Sequence, residues 1–550
     1  MVDMGVEKAR VSAVAECKGR FETGDFSRTL ADMFYEHVKA TPNAVYLESE
    51  SRRLTYLECD TEAGRVAASM VARGLRCGDR VALAAGNSFE QVVLLHACFT
   101  LGVIAVPLNS RSTAGELATL IRKTQCKAVL VRASDVEKFA EACELAGASD
   151  ISLVVTAGDV GSARSVAASC AKLGGIRVVS YDEVASARRM VVPAACVKPD
   201  DIAMLQQTGG TTGTPKTAAL TNRNLVAAAT MMRRHIDGVL QSKPVKSLVV
   251  QPLYHIMGFI NTVGLALVDG GTLAFSNSCK APDVLNAIAK LRPNYFAAVP
   301  TLLAKVEREA SSARVGRLDS LDVVVVGGSP LPEEIARGFN ARFGVRMLQG
   351  YGMSEVPVVA MENGDEGCCR GGVGSVLAPG RARIVDVDNR ERDAAIGQAG
   401  ELLVRGPQVA MGYFGDARAT CDAMKDGWFA TGDIVMCDED GYMTIVGRKK
   451  EMIVSSGFNV YPAEIDDVLY RHPAVLEACT VGVPHPDRVE VPKAYVVLKE
   501  GRTATVSELV SFCRQYLVAY KVPKQIEFVE DLPKTSVGKP DRRALARMSR

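Results

Sequence analysis

Several features that mark common protein classes are missing from this 550-residue sequence. No sign of charge dominates. Lys and Arg number 65, Asp and Glu 63, and the formal net charge is +2, so the molecule has no overall field for a polyanion. A dedicated nucleic-acid binder is usually more basic. Paired cysteines are also lacking. The 15 Cys are scattered, odd in number and contain no C-x-x-C, which reads as free thiols in a reducing compartment rather than a disulfide frame or a zinc site. No continuous apolar segment follows the first charged residues, so no signal peptide is expected. The most apolar stretches, Val92 to Leu108 and Phe259 to Phe275, are broken by His96, Gly102, Pro107, Asn261, Asp269 and the Gly270-Gly271 pair. A spanning helix needs about 20 clean apolar residues, so the first reads as a buried helix over 90–101, a Gly break and a buried strand over 103–106. A cytoplasmic protein is expected. There is no G-x-S-x-G elbow, no H-E-x-x-H and no complete G-x-G-x-x-G, and none of the 6 His has metal-ligand spacing to another. Hydrolase, metalloprotease and dehydrogenase readings thereby lose their usual anchors.

What is present is an alternation. Short β-branched runs at 80–85, 127–132, 151–156, 176–180, 202–206, 247–251 and 322–326 read as buried strands. Helix-period segments separate many of them, as in 331–343. This predicts α/β layers with largely parallel sheets. From about Gly380 the texture changes to shorter strands with Gly/Asp turns. A charged run, Arg448-Lys-Lys-Glu451, then precedes about 100 residues, enough for a small domain. The expected division is a large domain over 1–447, a hinge over 448–450 and a small domain over 451–550.

The sharpest chemical feature is Thr208-Gly-Gly-Thr-Thr-Gly-Thr-Pro-Lys216, directly after the strand 202–206. Glycines among small hydroxyl residues let backbone N–H groups close around an anion. Thr208, Thr211, Thr212 and Thr214 add hydroxyl donors, and Lys216 adds a point charge. The spacing from Gly210 to Lys216-Thr217 nearly matches a Walker A loop, but Pro215 takes the second Gly position and lacks an N–H. A Gly/Thr loop without a ligand is the plain alternative.

The loop resembles the phosphate loop of the adenylate-forming (AMP-binding) ligases, the superfamily of acyl-CoA synthetases, luciferase and peptide-synthetase adenylation domains. Further matches follow in the family's order. They are Gln251-Pro-Leu-Tyr-His-Ile256, Gly327-Gly-Ser-Pro-Leu-Pro332, Gly350-Tyr-Gly-Met-Ser-Glu355, Gly400-Glu-Leu, Gly412-Tyr-Phe414, Trp428-Phe-Ala-Thr-Gly-Asp433, Gly447-Arg-Lys-Lys-Glu-Met452, Ser456 to Pro462 and Pro533 to Lys539. The texture is most like medium- or long-chain fatty acyl-CoA ligases.

The resemblance implies a large N-terminal domain of layered α/β subdomains with a β-rich subdomain, and a small mobile α+β C-terminal domain. It implies ATP, Mg²⁺ and coenzyme A as cosubstrates and cofactor, and a fatty acid as substrate. The nucleotide would contact Thr208, Gly209, Gly210, Thr211, Thr212, Gly213, Thr214, Lys216, Gly328, Ser329, Gln349, Gly350, Tyr351, Gly352, Ser354, Asp433, Arg448 and Lys539. Asp433, read as a strand-end residue, would hold the ribose hydroxyls. Glu355 would hold Mg²⁺, a hard cation that suits carboxylate oxygens. Tyr254, His255, Gly328 and Gly350 would line the acyl pocket. Lys539 would bridge substrate carboxylate and α-phosphate, with Lys216, Thr212, His255 and Glu355 as the other catalytic groups. Lys450 would be the hinge, and Gly457 would let the pantetheine arm pass. Three departures stand out: Thr217 after the loop lysine, Pro540 after Lys539, and Pro492, which should interrupt the strand 489–497. The acceptor stays open between coenzyme A and a carrier protein, the acid between fatty, aryl and dicarboxylic, and a nucleotide-binding pseudo-ligase is the non-enzymatic reading. No nucleic-acid partner is expected. Peripheral contact with the inner membrane face and a homodimer stay open.

Overall fold

The computed structural model describes residues 26–147, 151–158, 176–187, 197–208, 216–241, 243–312, 318–329, 331–363, 371–455, 458–485, 489–534 and 540–549. Expected site residues Gly209 to Thr214, Gly457 and Lys539 lie outside them.

The fold is mixed α/β, with a large N-terminal domain and a smaller C-terminal one. Among the described residues, the large domain contains two broad sheets. One orders its strands 375–376, 360–361, 346–351, 323–326, 295–298, 246–249, 272–275, 45–48 and 53–55 from edge to edge. The other runs 412–413, 217–221, 202–207, 104–107, 80–84, 128–132, 153–157 and 177–180. The interior of each is parallel, as the alternation with helices requires.

The continuous valine run Val323–Val326 follows from burial on both faces. Val323 and Val325 enter the core shared by the two sheets, while Val324 and Val326 meet the outer helices Ala281–Leu291, Pro300–Ser312 and Glu333–Phe343. The other sheet behaves alike: Val81 and Leu83 face the shared core, Ala82 and Ala84 the opposite layer. Helices Tyr56–Ala72, Phe89–Leu101 and Asn222–His235 fill the space between.

The first suspect apolar stretch is a buried helix, Phe89–Leu101, then Gly102 and the strand Ile104–Pro107. Gly102 has φ +65°, and a Cβ there would lie 2.8 Å from the Cys77 sulfur, so glycine is required. His96 within this helix stacks on Phe34 and shares a 2.8 Å hydrogen bond with the Tyr46 hydroxyl. Burial pushes its pKa down to about 3, so it is a neutral core residue. No helix among the described residues is long and apolar enough to cross a membrane.

A third sheet, of antiparallel strands 381–385, 400–405, 428–437, 424–425 and 443–448, packs against the segment 351–360. The chain then enters a fourth sheet, 453–455, 458–460, 475–485, 489–498 and 525–528, backed by helices Pro462–Tyr470 and Val506–Tyr516. Pro492 does not interrupt its strand, contrary to expectation. Val489–Leu498 runs through it, with Pro492 opposite Gly482, and pairing to the strand Gln525–Phe528 begins one residue later, at Lys493. The missing N–H precedes the first bond toward that strand, in which the Pro492 carbonyl accepts from Lys524 N–H at 2.9 Å.

Candidate active site

Strands 246–249, 323–326 and 346–351 are parallel members of one sheet. Their carboxyl ends release the segments 250–255, 327–332 and 352–359 on one side, where open α/β sheets bind ligands. The second sheet contributes the hairpin between Ile202–Gln207 and Thr217–Thr221, whose connection is the Gly/Thr loop. Thr208 N–H donates to the Lys216 carbonyl at 3.0 Å and closes the loop's base. Side chains tie the two sheets here. Gln206 donates to the Tyr254 carbonyl at 3.0 Å, and the Ser354 hydroxyl donates to the Gln207 carbonyl at 2.8 Å.

Lys216 leaves the loop with its ammonium 4.5 Å from the centre of the Tyr413 ring, a cation–π distance. The Tyr413 hydroxyl donates to Glu355 Oε1 at 2.8 Å. Burial, then the Glu355 charge, raises the Tyr413 phenol's pKa, so it stays a donor. Tyr413 is placed by the short strand Gly412–Tyr413, which pairs with Thr217–Thr221, and Ala410 N–H donates to the Glu355 carbonyl. Loop lysine, tyrosine and glutamate thus form one file. Sequence reasoning gave Tyr413 no role, although Gly412-Tyr413 was a matched motif. Glu355 lies outside any helix. Tyr413 occupies one of its carboxylate oxygens, and the second suits a hard divalent cation such as Mg²⁺.

Asp433 lies inside the ten-residue strand Trp428–Cys437 rather than at a strand end, with Arg448 as its cross-strand partner. Arg448 Nε is 2.9 Å from Oδ1, and the Tyr351 hydroxyl donates to Oδ2 at 2.5 Å. The Asp433 side chain is 3% exposed. Burial holds its carboxyl above the usual range, against the pull of Arg448. Burial and the Asp433 charge raise the Tyr351 phenol's pKa. Burial and Arg448 lower that of the Lys450 ammonium. Tyr351 is therefore a hydrogen-bond donor as well as a packed ring.

Of the residues expected at the acyl pocket, His255 and Gly328 lie beside Met257. A Cβ on Gly327 would lie 3.5 Å from Met257 Cε and 3.2 Å from the Gly350 carbonyl oxygen, and one on Gly328 3.9 Å from Met257 sulfur. His255 caps the short helix Ile256–Phe259, its Nδ1 accepting from Met257 N–H at 3.3 Å. Asn87, in the connection after the strand 80–84, braces the same segment: it donates to the Gln251 carbonyl and accepts from Leu253 N–H. Gln349 is buried, its N–H donating to Glu362 at 2.8 Å. Gly352 has no room for a side chain, since a Cβ would lie 2.3 Å from the Pro357 carbonyl oxygen. Ser329 is half-buried after Gly328, whose φ is +81°.

These elements define an α/β protein in which the two ends of the hairpin 202–207/217–221 meet Ser354, Glu355 and Tyr413. The comparisons supply the family. Residues 34–414 match the model of the AMP-binding enzyme family, and residues 464–539 that of the AMP-binding enzyme C-terminal domain. The long-chain-fatty-acid–CoA ligase of Salmonella typhimurium is 35% identical over 86% of this chain and 86% of its own. A feruloyl-CoA synthase of an Amycolatopsis species is 32% identical over 91% and 95%. Among solved structures, ATP-bound MatB from Rhodopseudomonas palustris is 28% identical, with TM-score 0.81 over 94% of this chain and 98% of that one. The chain belongs to the AMP-binding enzyme family, and within it to the adenylate-forming acid–thiol ligases.

Proposed function

We propose that this ligase activates a medium- or long-chain fatty acid with ATP and passes the acyl group to coenzyme A. The observation that carries the reading is the convergence of Lys216, Tyr413 and Glu355 at the base of the Gly/Thr loop, beside Ser354, with Asp433 and Arg448 near Tyr351. The fatty acid is supported by the long-chain ligase relative.

The fatty carboxylate attacks the α-phosphorus of ATP, giving acyl-adenylate and pyrophosphate. The coenzyme A thiol then attacks the mixed anhydride, releasing acyl-CoA and AMP. A carboxylate is a poor electrophile, and adenylation gives it a good leaving group. The Gly/Thr loop and Lys216 hold the outgoing phosphates, and Lys539 offsets charge that develops at the α-phosphate. Mg²⁺, when bound at Glu355, neutralises phosphate charge. Asp433 accepts the ribose hydroxyls and Arg448 sits beside it. Tyr254, His255, Gly328 and Gly350 border the acid. The small domain turns at Lys450 between the two steps, withdrawing Lys539 and bringing in the Gly457 face. Positioning and charge neutralisation carry the rate.

The test is AMP release from ATP, with and without coenzyme A, over acids from acetate to oleate with ferulate added. AMP and acyl-CoA formed with long-chain acids support the reading. A preference for ferulate supports the aromatic alternative suggested by the feruloyl-CoA synthase relative. Acid-dependent pyrophosphate exchange without acyl-CoA points to a carrier-protein acceptor. ATP binding without turnover overturns the enzymatic reading.

A further inference from the structure

The Gly400-Glu-Leu motif has no part in the chemistry above, yet its glutamate is among the most deeply buried charges of the large domain. The Glu401 side chain is 1% exposed. It receives three charged N–H bonds: Arg390 Nε and Nη2 at 2.9 and 2.7 Å, and Lys449 Nζ at 2.9 Å. Lys449 also donates to the Val387 carbonyl at 2.6 Å. Burial alone would raise the Glu401 pKa, but the bonds from Arg390 and Lys449 outweigh it and the carboxyl is held below its usual range. A buried carboxylate with two cations is an anchor, because breaking it leaves an uncompensated charge.

The location gives the anchor a purpose. Glu401, Ile434 and Gly447 lie in one row across three strands, and Asp433 and Arg448 form the next row. Lys449 follows Arg448 directly. On the far side of Lys450, Glu451 pairs with Arg542 at 3.2 Å, and Arg542 pairs with buried Asp466 at 2.6 Å. The residue before Lys450 is therefore tied into the large domain and the residue after it into the small one.

We propose that Glu401 is a positioning residue: through Lys449 it holds Arg448 on Asp433 while the small domain turns at Lys450. The inference rests on the nucleotide site and hinge proposed above. Without the anchor, motion of the small domain is transmitted past Lys449 and draws Arg448 away from Asp433. Nucleotide binding suffers, while the acid and thiol sites, built from other segments, do not.

The test uses the full-length enzyme and Lys449→Met, which leaves Glu401 paired with Arg390, so the protein folds. Calorimetric AMP affinity and KM for ATP should each weaken about tenfold, the size expected of a small misplacement at a binding group. KM for acid and coenzyme A should stay within about twofold. Lys449→Arg, which retains a cation for Glu401, should restore AMP affinity, and Glu401→Gln should repeat the defect. Wild-type AMP affinity in Lys449→Met overturns the proposal. So does an equal rise in all three KM values, or a lowered melting temperature with unchanged AMP affinity, since either marks a purely structural role. AMP binding is read without any acid, so a wrong fatty-acid assignment leaves this result intact. A wild-type enzyme that does not bind AMP overturns both.

Discussion

Two buried aspartates, one in each domain, each face an arginine, and the pairs differ in what else the arginine does. In the small domain Arg542 answers Asp466, but it also reaches Glu451 and donates to the Thr480 carbonyl at 2.7 Å. Asp466 in turn accepts from Thr480 N–H. In the large domain Arg448 makes, among the described residues, one ion pair, to Asp433. Burial raises the pKa of both carboxyls, with arginine opposing it. Similar local chemistry therefore serves two ends. The saturated pair joins strand 475–485, helix 462–470 and the segment beyond Lys450. The sparser pair, joined by the Tyr351 hydroxyl, keeps acceptor and donor capacity.

The largest test of this division concerns a residue near the Arg542–Asp466 pair rather than in it. Lys539 precedes Pro540, which bridges to Lys534, and Asp541 N–H donates to the Pro533 carbonyl. If the Arg542–Asp466 pair is structural and the lysine chemical, Lys539→Ala should cut acid-dependent pyrophosphate exchange by about 10²-fold or more. Thioester formation from pre-made acyl-adenylate should be spared, and loss of both steps would sink the assignment. Next in size, Arg542→Met should destabilise the small domain by about 3 kcal/mol, because Asp466 is left buried without its cation. Urea unfolding followed by tyrosine fluorescence measures this, and a wild-type midpoint would show that the pair is dispensable.

Asp433→Asn should do the opposite. Loss of a charged acceptor for the ribose should raise KM for ATP by about tenfold. The sign of its linkage predicts no loss of stability. A carboxyl whose folded pKa is raised above 3.8 favours the protonated fold, so at neutral pH its charge opposes folding. A melting temperature several degrees below wild type would refute that reading.

The smallest effect separates Asp433 from Glu401. Glu401's folded pKa is depressed, so its stabilisation is fully present above the ordinary value of 4.5 and is lost as pH falls through the folded value. The stability gap between wild type and Glu401→Gln should therefore narrow below pH 4.5. A gap that widens toward acid would reverse the assignment.

Much of this was legible beforehand. The runs at 80–85, 127–132, 202–206 and 322–326 form strands within one or two residues of expectation, because strands buried on both faces must be continuously apolar. The strands at 45–48, 272–275 and 295–298 were not foreseen; each holds at most one β-branched residue, so their short runs carry no pattern that separates strand from helix. Tyr413 gained its role only when the hairpin 217–221 paired with residues nearly 200 positions later. Asp433 became cross-strand to Arg448 rather than a strand-end turn residue because the sheet extends past it.

The sequence by itself determined the element types, the anion loop's composition and the family to which the ordered motifs point, since these depend on local pattern and spacing. Tertiary structure alone decided which charges are saturated. Glu401 and Asp433 are both ordinary acidic residues in the sequence. Burial and distant partners hold the first below and the second above the usual carboxyl range, because desolvation and pairing energies arise only when remote segments are brought together.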